Sequence, residues 1–149
     1  MTFVKADVDP IPAEDVHVPL LAGLLLNEVR LTFAAEDWGG LRQSHFRLLG
    51  TIPRGGLNVT ELAARLGMTK QACGEFVTFL AGTGHLTTAS DPADRRARLV
   101  SRTPLGDRTV AAVNARIRRI ERSWARQVGP ERYAEFRAVL TELATRAAP

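Results

Sequence analysis

The feature of this sequence that most constrains its fold is a pair of short helical patterns joined by a tight turn. Asn58, three residues before Glu61 and ahead of an apolar run, is typical of a capping box at the start of a helix. Within residues 66–69, Gly67 stands where a left-handed residue ends that helix, and Thr69 is a favourable N-cap for the next. Apolar residues then recur at helical spacing: Cys73, Phe76, Val77 and Leu80. Two helices joined in this way predict a helix-turn-helix.

A β-hairpin is predicted directly after the second of these helices. Residues 84–90 are rich in β-branched and small side chains, and residues 98–102 alternate polar with apolar side chains. The charged residues 91–96 between them, which include Pro92, are typical of a turn. A strand, a polar loop and a second strand in this position predict a wing.

Longer helical patterns flank this central part. Residues 14–36 carry leucines on an unusually broad apolar face, which indicates burial against more than the helix's own domain. Residues 41–52 predict a second helix. After the hairpin, a threonine N-cap and a proline in the first turn open a helix over residues 104–128. Residues 131–146 predict the last helix.

The charge is unevenly distributed along the 149 residues, whose net charge is +4. Residues 1–40 hold two basic and seven acidic side chains, a net charge of −5, whereas the remainder holds 18 basic and nine acidic side chains, a net charge of +9. A basic body behind an acidic entry segment favours a polyanionic partner. On charge alone, a merely solvated basic surface explains the pattern equally well.

Several classes of protein are disfavoured by what the sequence lacks. We find no phosphate-binding loop, dinucleotide fingerprint, zinc-protease motif or nucleophile with a nearby base, so we expect no enzyme, cofactor or metal site. Cys73 is the single cysteine, which precludes an intrachain disulfide. The longest apolar stretch, residues 19–26, is too short to span a bilayer, and the N-terminal residues lack the pattern of a secretory signal. We therefore expect a cytoplasmic protein with no membrane partner.

The chain resembles the MarR family of bacterial regulators. The similarity lies in the second helix, the helix-turn-helix, the wing and the start of the following helix, which are residues 41–49, 60–72, 91–100 and 103–106. Linked motifs in this order, at the right separations, make this a specific signal. The resemblance implies a mainly α (α+β) fold, with a winged helix-turn-helix, a two-stranded wing and a helical dimerisation region.

The resemblance also implies how the chain is organised and what it does. Residues 1–149 would form a single MarR-like domain, in which residues 41–103 bind DNA while residues 1–36 and 104–149 interleave in an obligate homodimer. The implied function is that of a transcription regulator, most simply a repressor, that binds a palindromic double-stranded operator. A small aromatic or amphipathic effector would relieve that binding.

The second helix of the helix-turn-helix would read base edges in the major groove. Its outward face holds Thr69, Lys70, Gln71, Gly74, Glu75 and Thr78. Gln71 can pair bidentately with adenine, and Lys70 can contact a phosphate or a guanine. Glu75 fits only if it accepts from cytosine N4 or pairs with an arginine. The alternative is an ordinary solvated helix face.

The wing would add a contact to the minor groove. Asp94 and Arg96 match the family's Asp-x-Arg pattern, in which the arginine enters the narrow groove and the aspartate orients it. Arg95 and Arg98 would contact phosphates. An exposed charged turn without a binding role is the alternative interpretation.

Three further hypotheses concern single residues. Trp38 and His45 are candidates for the effector pocket. Cys73 invites a thiol-based redox sensor, although its place on the buried stripe argues for an inert thiol. Glu75 and Phe79 fit a DNA-reading face poorly, and they leave open a ligand-sensing relative that has lost operator binding.

Overall fold

The computed structural model describes residues 16–147, and it separates into two compact units, the first ending at Trp38 and the second starting at Gly39. The first unit contains α1 (Val18–Ala34). The second contains α2 (Gln43–Thr51), β1 (Leu57–Asn58), α3 (Val59–Leu66), α4 (Lys70–Gly82), β2 (Leu86–Ser90), β3 (Arg98–Arg102), α5 (Pro104–Val128) and α6 (Pro130–Ala147). The predicted mainly helical winged fold is confirmed.

In the first unit, α1 starts at an unusual cap. The Nδ1 atom of His17 accepts a hydrogen bond from the backbone N–H of Leu20 at 3.1 Å, and Pro19 occupies the first turn. Four of its leucines are more than one-third exposed, namely Leu21, Leu24, Leu26 and Leu31. At the end of this unit the rings of Phe33 and Trp38 lie 5.1 Å apart. The start predicted at residue 14 lies outside the described residues.

The sheet has one strand more than the sequence predicted. The hairpin of β2 and β3 pairs from Leu86 opposite Arg102 to Ser90 opposite Arg98. The added strand, β1, pairs antiparallel with the other edge of β3, where Leu57 lies opposite Val100. Because β1 has only two residues, it forms no recognisable sequence pattern and depends on β3 for its definition.

The core of the second unit lies between α2, α3, α4 and the sheet. Its largest fully buried side chains are Leu48, Leu49, Ile52, Leu62, Leu80, Val100 and Cys73. Complete burial of a leucine or valine stabilises a fold by about 1.5–3 kcal/mol. This shared core fixes the orientation of α4 relative to the wing, because both contribute to it.

The helix-turn-helix has the predicted caps. Asn58 Oδ1 accepts from the N–H of Glu61 at 2.8 Å, and Thr69 Oγ1 accepts from the N–H of Ala72 at 3.1 Å. Gly67 adopts the left-handed conformation with φ 63° and ψ 34°. The turn is also tied to α2, since Arg47 Nη2 donates to the carbonyl of Leu66 at 3.1 Å.

The junction of the wing with α5 depends on Gly106. A Cβ atom at this position would lie 2.2 Å from the carbonyl oxygen of His85. Beside it, Arg102 donates to the carboxylate of Asp107 at 2.8 Å and to the carbonyl of Leu49 at 3.0 Å. These contacts connect the end of β3 with α2 and with the first turns of α5.

The last helix, α6, has no buried residue. It is joined to α5 by a hydrogen bond from the Tyr133 hydroxyl to the Glu121 carboxylate at 3.1 Å. Its large apolar side chains are 46–55 % exposed, namely Phe136, Val139, Leu140 and Leu143. Within residues 16–147 no helix combines the length and the apolarity needed to cross a bilayer.

Candidate nucleic-acid interface

The outward face of α4 is polar and accessible. Thr69, Lys70, Gln71, Glu75 and Thr78 are exposed, and Gly74 is half-buried. The opposite face is anchored in the core by Cys73, Val77 and Leu80. The six residues selected from the sequence therefore lie together on one accessible surface of this helix.

Two hydroxyl groups on this face are partly committed to the helix itself. Thr69 Oγ1 accepts the capping hydrogen bond from the backbone N–H of Ala72. Thr78 Oγ1 donates to the carbonyl of Gly74 at 2.9 Å. Thr69 can still donate its proton to a phosphate, whereas Thr78 offers a lone pair and a methyl group.

Gly74 has no packing reason to be a glycine. A Cβ atom built there meets no other atom within 4 Å in the described chain, and the helix itself would be more stable with alanine. The absence of a side chain at the middle of an accessible polar face therefore suits the close approach of an external surface, such as a DNA groove.

The wing tip is a short loop organised by two aspartates. Asp91 Oδ1 accepts from the N–H of Ala93, and Asp94 Oδ1 accepts from the backbone N–H of Arg96, each at 2.9 Å. The sequence suggested that Asp94 orients the guanidinium of Arg96, but the contact is with its main chain. An aspartate in such a turn shapes the loop and thereby places the arginine at its tip.

The three wing arginines differ in their surroundings. Arg95 and Arg96 are exposed at the tip, and neither side chain contacts an acidic group of residues 16–147. Arg98 lies at the start of β3, where its Nη2 donates to Thr88 Oγ1 at 2.8 Å. The hairpin therefore holds Arg98 along its side and leaves two guanidinium groups free to contact phosphates.

His45, a candidate effector residue, is a buried part of the α2–α4 contact. It is 8 % exposed, its Nδ1 accepts from the N–H of Arg42 at 2.8 Å, and its ring stacks on Phe79 at 4.6 Å. Phe76 meets the same ring edge-on at 5.4 Å. Burial, with smaller contributions from Arg42 and His85, lowers the pKa of His45.

A small cleft lies beside this aromatic group. Its volume is about 290 Å³, and it is lined by Gly40, Arg42, Ser44, His45, Phe76 and Phe79. Phe79 fits a DNA-reading face poorly by its chemistry, and in the structure its ring stacks on His45. Trp38, the other candidate, belongs to the first unit, and its part in an effector pocket remains a prediction.

A larger cleft, which no sequence pattern predicted, lies between the α2–β1 loop and α5. It has a volume of about 620 Å³ and is lined by Pro53, Arg54, Arg102, Asp107, Val110, Ala111 and Asn114. These residues come from two separate segments, 53–54 and 102–114, so no sequence motif unites them. The cleft combines Arg54 and the ion pair of Arg102 with Asp107 with an apolar wall formed by Val110 and Ala111.

Cys73 lies on the buried stripe, as predicted. Its side chain is fully buried, and burial raises the pKa of its thiol. A raised pKa reduces the reactive thiolate, which disfavours the redox-sensor hypothesis. Within residues 16–147 no three histidine, cysteine, aspartate or glutamate side chains are grouped so as to hold a metal ion.

A helix-turn-helix with an arginine-tipped hairpin defines the class of winged-helix proteins. In a comparison with known families, the sequence model of the MarR family matches residues 40–97. Over these residues, which hold the helix-turn-helix and most of the wing, the chain is similar to the MarR family of transcription regulators. No curated protein matches the sequence.

Several solved structures share the fold of this chain. The crystal structure of MarR superposes with a TM-score of 0.83 at 21% identity, covering 93% of this chain and 95% of that one. The PcaV transcriptional regulator from Streptomyces coelicolor, in complex with its natural ligand, has a TM-score of 0.71 at 21% identity and covers 95% and 100%. A probable transcriptional regulator from Pseudomonas aeruginosa has a TM-score of 0.71 at 22% identity and covers 87% and 98%.

Proposed function

We propose that this protein is a homodimeric, ligand-responsive repressor in the cytoplasm that binds a palindromic operator. The observation that carries the proposal is the accessible polar face of α4 beside two unpaired arginines at the wing tip. In this proposal Gln71 reads an adenine in the major groove, while Thr69 and Lys70 contact the backbone or a neighbouring base. Arg96 enters the minor groove and Arg95 contacts a phosphate.

Exposed apolar surface supports the dimer. Phe136, Leu140 and Leu143 form a contiguous exposed apolar face on α6, and such faces mark interaction sites. The leucines exposed on α1 point to the same conclusion for the first unit. A twofold dimer would present two copies of α4 to successive turns of one duplex, and its operator would be palindromic.

The larger cleft supports an effector site. Its volume of about 620 Å³ falls within the range usual for small-molecule sites. Arg54 and Arg102 suit an anionic group, and Val110 suits an apolar or aromatic body. An effector that drew Arg102 away from Asp107 and Leu49 would loosen the connection between the wing and α2, and DNA binding would weaken.

Gel shifts with DNA from upstream of the protein's own gene, over a salt series, test the proposal. We expect binding whose affinity falls steeply with salt, together with a dimer in sedimentation. A stable dimer that binds no duplex would instead favour the alternative that this chain senses a ligand and has lost operator binding. A monomer would contradict the proposal directly.

A further inference from the structure

One face of α5 carries arginines that have no acidic partner within residues 16–147. We refer to four of them as the arginine stripe: Arg108, Arg119, Arg122 and Arg126. In a helix of 3.6 residues per turn they fall within about 60° of one another, on the side opposite the buried Val113 and Ile120. All four are exposed. The stripe extends about 27 Å along the helix axis.

The carboxylates of α5 do not neutralise the stripe. The helix has two, Asp107 and Glu121, and both are engaged elsewhere. Asp107 accepts from Arg102 at 2.8 Å, and Glu121 accepts from the Tyr133 hydroxyl at 3.1 Å. Between Arg108 and Arg119 the same face carries only small side chains, so the surface is smooth as well as cationic.

The stripe is unsuited to an apolar seam between subunits. Burying guanidinium groups without carboxylate partners costs several kcal/mol for each ion, whereas the exposed apolar residues of α6 offer a seam without that cost. Planar guanidinium groups match phosphate oxygens bidentately. The chemistry of this face therefore favours a chain of phosphates.

We propose that the arginine stripe binds the sugar-phosphate backbone of duplex DNA, independently of base sequence. The DNA it contacts lies outside the segment read by α4 and the wing. The reason is distance, because Arg119, Arg122 and Arg126 lie about 16 Å or more beyond Arg108 along α5, which itself begins where the wing ends. This contact is additional to the proposed operator recognition. It would be made with DNA that flanks the operator or with a second DNA segment.

Fluorescence anisotropy with a random-sequence duplex of about 30 base pairs, between about 50 and 200 mM salt, tests this inference. The variant R119Q/R122Q/R126Q removes three charges from the stripe. The matched control R132Q/R137Q/R146Q removes three from exposed positions of α6. Each lost phosphate contact reduces the magnitude of the slope of log K against log salt by about 0.9. We therefore expect this magnitude to fall by between about 2 and 3 in the stripe variant, and by less than about 1 in the control.

A lysine variant at the same three positions should keep most of the slope, since it keeps the charge. Equal losses in the stripe variant and the α6 control would overturn the inference, because net charge alone would then explain binding. The inference would also be overturned if the stripe variant dissociated into monomers and its salt slope stayed unchanged. The arginines would then contact a second copy of the chain and not DNA. A slope reduced by Arg96→Ala but not by the stripe variant would overturn this inference and leave the proposed function standing.

Discussion

The contact at Gly106 leads to a sharp prediction about stability. In Gly106→Ala the new Cβ would lie 2.2 Å from the carbonyl oxygen of His85, whereas such contacts are essentially never shorter than 3.0 Å. That oxygen also accepts the N–H of Thr103 at 3.1 Å, so it is held in place by the backbone. The start of α5 and the start of β2 must therefore move apart by about 1 Å.

The magnitude follows from two opposing terms. Overpacking of this kind costs about 1–3 kcal/mol. The replacement of glycine by alanine in a helix returns at most about 1 kcal/mol. Because the 2.2 Å contact is with a fixed backbone carbonyl, we place the cost at about 2–3 kcal/mol, and we expect Gly106→Ala to lower the free energy of unfolding by about 1–2 kcal/mol.

Urea unfolding followed by circular dichroism, at one fixed protein concentration, measures this change. Gly50→Ala in α2 is the matched control, because a Cβ there meets nothing within 4 Å. We expect the control to stabilise the fold by about 0.5–1 kcal/mol. If Gly106→Ala proved as stable as that control, the close approach of α5 to His85 would not exist as described.

Four further changes test the site and the assembly. Arg96→Ala should weaken DNA binding and leave the dimer folded; an unchanged gel-shift affinity would remove the wing from recognition. Gln71→Ala should lose about 1–3 kcal/mol of discrimination at one base pair, and an unaltered footprint across operator variants would contradict its role. Removal of residues 1–36 should abolish the dimer, and a stable truncated dimer in sedimentation would refute this. Because burial lowers the pKa of His45, the unfolded chain binds that proton more readily, so stability should fall as the pH drops below the ordinary value of 6.5. His45→Gln should reduce this pH dependence, and an identical pH profile would show that another group causes it.

Features governed by near neighbours in the chain could be predicted without the structure. The caps at Asn58 and Thr69 and the left-handed Gly67 each depend on contacts within three or four residues. The buried stripe that includes Cys73 follows from helical periodicity alone. The same holds for the accessible face of α4, since it is the opposite side of that stripe.

Long-range packing decided the rest. The strand β1 is defined by its pairing with β3, some 40 residues later. Phe79 lies at the edge of the accessible polar face of α4, where its ring stacks on His45 of α2. The larger cleft unites Arg54 with Arg102 and Asn114, and Gly106 is required by a carbonyl 21 residues away. Periodicity and capping act over a single helical turn, whereas these contacts arise only when separate elements share one core, and their geometry therefore exists only in the folded chain.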